Sequence, residues 1–379
     1  MKIAKLETFQ VLPRWCFLKI TTDDGLCGWG EPVVEGRTRT VAQAVHEFEP
    51  VLIGQDPRRI EHLWQLMYRT TFYRGGPVLT SAISGIEQAL WDIKGKAAGL
   101  PVYEMLGGTV RDRIRMYGHV HGNTVEEKAV DIKRVKALGF DAMKTGPMSG
   151  VPVRDLETKK WLDTAVRSLT LLREAAGDDM DIAIDAHGCL TPQQSIRYAA
   201  AIEHLHPMFL EEPCLPENVD ALVRVAQSTT IPIATGERLF TRWAFREVLI
   251  KQAAVVLQPD ICHCGGIFEA RKIAAMAELN YANVAPHNPL GPISLASCLQ
   301  LDACTPNFIV QEHPGMDNGW DLGEGYLKTP FVIKNGHIDV PKGPGLGIEV
   351  NEDAVRERAY PGDWDTPRQF HADGSVAQW

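Results

Sequence analysis

Residues 181–187 read DIAIDAH, and five further runs of the same kind follow: MFLEEP at 208–213, IPIATGE at 231–237, VVLQPD at 255–260, NVAPHN at 283–288 and FIVQEH at 308–313. Each is a short apolar run that ends in a polar residue. Asp185, Glu211 and Glu237 lie 26 and 26 residues apart, and Asp260, His287 and Glu312 follow at 23, 27 and 25. Short apolar runs separated by helix-length stretches predict βα units of a parallel sheet. A polar residue at the C-terminal end of each strand is how a closed β/α barrel builds an active site. Carboxylates on three consecutive strands, with Asp, His and Glu on the next ones, predict a hard-cation site with acid/base groups beside it.

Working toward the N-terminus, the stride begins with a strand at 114–120, a helix near 125–138, a strand at 141–144, a Gly/Pro loop and a helix from about Leu156 to Ala176. Helices are expected near 191–204, 219–228, 242–251, 267–279 and 292–304, and after Glu312 the pattern dissolves into turns. Eight strands without a normal helix after the last make a (β/α)7β modified TIM barrel. Residues 1 to about 112 do not fit the stride. Alternating runs at 2–11 and 15–22, the Asp24-Gly25 turn and a strand at 26–29 predict a meander. Helical periodicity follows at 38–53, 60–72 and 79–98. The expected organisation is an α+β capping domain over 1–112, the barrel over 113–320, and a segment 321–379 that returns to the cap.

With 379 residues, the chain suits a barrel of about 250 residues and a second domain. A net charge of −9 argues against a nucleic-acid partner, which needs a basic face. No run approaches the roughly 18 apolar residues of a membrane span, and the N-terminus alternates rather than forming a signal peptide. Eight cysteines without paired short spacings predict reduced thiols in a cytoplasmic protein. Cys262-His263-Cys264 is too tightly spaced for a zinc pair and reads as a loop after the sixth strand.

Asp185, Glu211 and Glu237 offer three oxygen ligands, which suits Mg2+ and leaves positions open for water or substrate. One such acid alone would be a helix cap; three at matched strand ends are not. His187 stands two residues beyond Asp185, so strand alternation would aim both into one mouth. Asp260 and His287 end neighbouring strands, where the carboxylate could bond the imidazole and raise its basicity. Glu312 ends the last strand.

Further motifs accompany these residues: RWCFLKITTDDGLCGWGEP at 14–32, FYRGGP at 72–77, ALWDIKGKAAGLPVYEMLGG at 89–108, ATGERLF at 234–240, LQPDICHCGGI at 257–267, APHNPLGP at 285–292, PGLGIEV at 344–350 and the terminal SVAQW. In this order they are highly specific, and along nearly its whole length the chain resembles the enolase superfamily, mandelate racemase subgroup. The resemblance implies one Mg2+ per subunit on Asp185, Glu211 and Glu237. It implies a His287–Asp260 dyad as general base, His187 as general acid, and Glu312 as the group that stabilises an enediolate. It implies a sugar-acid dehydratase, with D-galactonate the first expected substrate, and a homo-oligomer, octamers among the options. Cap loops would choose the substrate, through Arg14, Trp15 and the 72–77 turn that contains Tyr73.

The chain departs from that pattern in three places. The run after the second barrel strand is Lys144-Thr145-Gly146, so the second lysine that serves many relatives as a base is absent. Gly146 stands where a dehydratase of galactonate would carry Asn. Tyr117-Gly118-His119-Val120-His121 puts His-x-His at the first strand end, where His119 and His121, with Lys144 from the second strand, are candidates to face the substrate. The alternatives are a dehydratase of another aldonate (gluconate or a pentonate), an acid-sugar epimerase, a non-catalytic descendant, and a metal-dependent hydrolase that starts its zinc site at His119 and His121. The last would also need histidines where Glu237 and Asp260 stand.

Overall fold

In a computed structural model, described for residues 1–146, 158–360 and 364–378, the chain begins with β1 (Ile3–Val11), β2 (Trp15–Thr22) and β3 (Cys27–Gly30), an antiparallel meander in the order β1-β2-β3. The helix Gly76–Ala98 lies across it. Contact is backbone to backbone: a Cβ on Gly28 or Gly30 would collide with the carbonyls of Ala89 and Gly85. Such an approach requires glycine at both positions.

The barrel is built from β4 (Arg113–His119), β5 (Ala142–Thr145), β6 (Asp181–Asp185), β7 (Phe209–Glu211), β8 (Ile233–Thr235), β9 (Val256–Leu257), β10 (Asn283–Val284) and β11 (Gln311–His313). Neighbours pair in parallel in chain order, and β11 pairs β4. A parallel bridge between Val284 and Phe308 closes the ring. Inside it sits a small separate core of Tyr117, Ala142, Ala183, Phe209, Ala234, Val256, Ala285 and Val310. Each strand, or the residue next to it for Ala285 and Val310, contributes one side chain, and small residues flank the two large rings. These are the layers that make such a barrel a packed core, not a pore. A twelfth strand, β12 (His337–Asp339), pairs antiparallel with β4 from outside.

The tail runs back over the cap. Val11 bridges Ala359, the Lys19 ammonium meets Glu352 at 2.6 Å, and the Tyr326 hydroxyl donates to Leu12 O at 2.6 Å. Tyr326 also packs edge-on against Phe17, with centroids 5.3 Å apart.

Two expectations change. The helix expected over 38–53 is two helices, Thr38–Glu47 and Glu49–Leu52, because Pro50 lacks the N–H that would continue the first and sits in the opening turn of the second. The helix expected from Leu156 is described from Trp161 to Ala176; its expected start and the Gly/Pro loop before it lie outside the described residues. Among the described residues no helix is long and apolar enough to cross a membrane.

Candidate active site

Adjacent strand ends bring the three carboxylates together. Asp185 and Glu211 are register partners across β6 and β7, both fully buried. Glu237 follows β8 by two residues, after Gly236, whose φ is +150° and where a Cβ would come within 2.7 Å of Gln258 N. Only glycine lets the chain pass there. Ligand oxygens of Asp185, Glu211 and Glu237 lie within 4.8 Å of one another, the one such cluster among the described residues.

Lys144, from β5, reaches into this cluster. Its ammonium lies 2.9 Å from Asp185, 3.0 Å from Glu211 and 3.1 Å from Glu312. Burial would drive the lysine toward neutrality, but the charges of Asp185, Glu211 and Glu312 outweigh it and hold the pKa well above the usual range. Burial likewise pushes Glu211 well up, with the Asp185 charge adding to the rise, while Asp185 stays low because Lys144 and His187 offset its own burial. The Glu211 Oε2 atom is buried without a hydrogen bond, and Asp185 Oδ2 and Glu237 Oε2 have cationic neighbours but no well-directed donor. Hard oxygens held inward and under-satisfied fit a divalent cation.

An imidazole flanks the cluster on each side. On the β6 side, His187 Nε2 is 2.9 Å from Asp185 Oδ2. Strand alternation does not carry it there, since β6 ends at Asp185. Instead His187 adopts φ +47°, and its backbone N–H donates to Asp185 Oδ1 at 2.9 Å. A left-handed non-glycine residue held this way stores strain of the order of 1–3 kcal/mol, as functional positions often do. Asp185 raises the His187 pKa to about 9, against burial. On the β10 side, His287 donates from Nδ1 to Asp260 Oδ2 at 2.8 Å and points Nε2 at Glu237, 3.2 Å away. Burial would lower its pKa; Glu237, Glu312 and Asp260 raise it well above the usual range.

Glu312 lies at the bottom of the mouth. Its Oε1 accepts from Lys144 and from His119 Nε2 at 2.9 Å, and its Oε2 accepts from Asn288 N–H at 2.8 Å. Despite burial, Lys144 and His287 keep its carboxyl well below the usual range.

The other expected substrate contacts divide. Arg14 is paired with Glu35, a residue that lines the cavity, at 2.7 Å, and Trp15 is buried in the cap core. Tyr73 is 83% exposed. His121 turns to Pro314 O at 3.2 Å, so it does not share a metal position with His119. A cavity of 560 Å³ leads to the cluster. Glu237 and His287 line it, together with Glu35, His263, Trp364 and Thr366. Reading the sequence missed His263, whose Nδ1 is 2.9 Å from Ser81 of the cap and whose Nε2 is 3.7 Å from Asp260. The signals were its place three residues after Asp260 and the Cys262-His263-Cys264 run, which reads as a loop.

Residues 7–107 match the Mandelate racemase / muconate lactonizing enzyme N-terminal domain, and residues 127–354 match the Enolase C-terminal domain-like family. Over 385 aligned positions and the full length of both chains, the sequence is 47% identical to a D-galactonate dehydratase of Variovorax paradoxus and 46% identical to one of Pectobacterium atrosepticum. Among solved structures, a member of the enolase superfamily from Salmonella Typhimurium superposes with a TM-score of 0.87 at 32% identity, covering 94% of this chain and 98% of that one. An Agrobacterium radiobacter enolase, provisionally assigned as a galactarate dehydratase and bound to sodium and L-malate, superposes with a TM-score of 0.92 at 34% identity over all of both chains.

Proposed function

The chain belongs to the mandelate racemase subgroup of the enolase superfamily, and on that premise we propose that it removes water from an aldonate, D-galactonate first, to give the 2-dehydro-3-deoxy acid. The observation that carries the reading is the placement of two imidazoles on opposite flanks of one carboxylate triad. One imidazole alone would serve exchange of a proton; a second allows a hydroxyl to be protonated as it leaves.

Asp185, Glu211 and Glu237 would hold the metal, Mg2+ in our reading. When bound, it would offset the negative charge that builds on the substrate carboxylate as the α-proton departs. The protein's own groups then divide the work. His287, in its neutral form, takes the C2 proton at Nε2, and Asp260, bonded to Nδ1, fixes the ring orientation and stabilises the imidazolium that results. His187, protonated on its Asp185 side, gives a proton to the 3-hydroxyl so that it leaves as water. Lys144 and Glu312 face the acid end, where the ammonium binds the substrate carboxylate and a fully ionised Glu312 anchors Lys144, His119 and the Asn288 loop. Base and acid thus work from different strands without exchanging roles.

The same proposal takes residues 1–112 as the cap, 113–320 as the catalytic barrel and 321–379 as the returning segment, in a cytoplasmic homo-oligomer. A panel of aldonic and aldaric acids, incubated with Mg2+ and followed as 2-keto product by semicarbazide absorbance, tests the reading. Product from D-galactonate supports it; absence of 2-keto product from every acid contradicts it.

A further inference from the structure

We propose that Glu35 sets the specificity of this cavity at the end remote from the reacting carbons, by occupying Arg14 so that a hydroxyl-ended acid is accepted and a second carboxylate refused. The inference rests on the dehydratase reading above. It concerns the stretch of cavity wall to which Glu35 of the cap and Trp364 and Thr366 of the tail contribute.

Three observations locate the device. The Arg14 guanidinium lies 2.7 Å from Glu35, and its Nη2 is 3.4 Å from Pro289 O, two residues beyond His287. The Trp364 ring covers its face at 4.4 Å, an arrangement that favours a cation. The tail is seated tightly: Gly36 has φ +71°, and a Cβ there would collide with Thr366 Oγ1 and come within 3.4 Å of Trp364 O. Glu35, Trp364 and Thr366 all line the cavity.

Charge then decides what this wall can hold. Arg238 lines the cavity and already has a carboxylate, donating from Nε to Glu212 at 3.0 Å, while Arg14 stands behind the lining residue Glu35 and pairs with it. Besides Glu237 of the metal cluster, the carboxylates that line the cavity are those of Glu35 and Glu217. A terminal hydroxyl can donate to such a carboxylate and accept from Thr366. A terminal carboxylate has no N–H to take and must either face Glu35 or displace it from Arg14, leaving one carboxylate unpaired in a half-buried site. Trp364 holds Arg14 against this exchange.

D-Galactonate and galactarate differ only in oxidation at C6, so their kcat/KM ratio reads this wall alone. Wild type is expected to prefer galactonate by about 10²-fold or more, the scale at which a mismatched polar partner is rejected. Glu35→Gln keeps the shape but frees Arg14, and should move the ratio at least about tenfold toward galactarate, a change of about 1.4 kcal/mol. Trp364→Leu loosens the other side of the clamp without altering charge and should move it the same way by a smaller factor. In the double variant Arg14→Met with Glu35→Gln the gain should vanish. Equal use of both acids by wild type, a ratio unmoved in both single variants, or a gain that survives loss of Arg14 would each overturn the proposal. Turnover of neither acid by wild type would instead overturn the dehydratase reading on which it stands.

Discussion

His287 and Asp260 are joined Nδ1 to Oδ2 at 2.8 Å from the ends of neighbouring strands, and the free face of the same ring lies 3.2 Å from the metal-site residue Glu237. The base is thereby oriented by one carboxylate and aimed by the strand that carries it. Replacing Asp260 by Asn keeps the volume but offers an amide in place of an obligate acceptor, so the ring can take the wrong tautomer. We expect kcat to fall by about 10²–10⁴ with little change in Mg2+ affinity. Steady-state kinetics beside a metal titration checks this, and a variant within a few-fold of wild type would exclude the dyad.

His187 and His287 should fail in different ways. His287→Asn removes the base, so exchange of the C2 proton in D2O and formation of product should both disappear. His187→Asn removes only the acid: dehydration should fall by about 10²–10⁴ while C2 exchange persists. Proton NMR of D-galactonate in D2O distinguishes the outcomes, and equal loss of exchange in both variants would contradict the division of roles.

Metal binding should release a proton. Without metal, burial and the Asp185 charge hold the Glu211 pKa well above the carboxylate range, so the buried site keeps a proton that a cation must displace. Only the deprotonated form binds metal, so affinity must rise as pH rises toward that pKa. Calorimetry in two buffers of different ionisation enthalpy should detect the released proton. Glu211→Gln should weaken Mg2+ binding and abolish the pH dependence assigned to this group; unchanged affinity in that variant would remove Glu211 from the ligand set.

The cap reaches the barrel through buried carboxylates, and one of them predicts a pH effect on stability. Glu87 accepts from the N–H groups of Ile267 and Phe268, the first turn of the helix Ile267–Leu279, at 2.8 and 2.9 Å. Burial nevertheless pushes its pKa up to about 8. A carboxyl raised from 4.5 keeps its proton in the folded state and loses it in the unfolded one across that window, so its contribution falls as pH rises from about 4.5 to 8. Glu87→Gln should flatten the pH dependence of urea unfolding by up to about 1.4 kcal/mol per pH unit in that window. Parallel slopes for variant and wild type would show Glu87 already ionised.

The barrel and the triad were legible because both are local and periodic. Asp185, Glu211 and Glu237 are spaced at one βα stride, and each follows its own apolar run, so phase alone aligned them. His187 was legible for the wrong local reason: it reaches the mouth through a left-handed turn after β6, not through strand alternation. The pairings that seat the cap and the tail on the barrel were not legible. Ser81 meets His263 across 182 residues, Glu31 caps Gly291 across 260, and Arg14 meets Trp364 in a segment with no periodicity. Such pairings depend on how two domains dock, and no spacing within either encodes them. Pro50, in contrast, stood in plain view within the expected helix 38–53 and marked the break that divides it.

The account is tested most directly by kcat/KM for D-galactonate and D-gluconate, measured as 2-keto product with Mg2+ and again after chelation. The two acids differ only at C4, and a site that hydrogen-bonds one epimer can reject the other by up to about 10⁴–10⁵. We predict 2-dehydro-3-deoxy product from D-galactonate, lost on chelation and restored by Mg2+, with gluconate strongly disfavoured. Turnover that survives chelation, or a preference for gluconate, would contradict it.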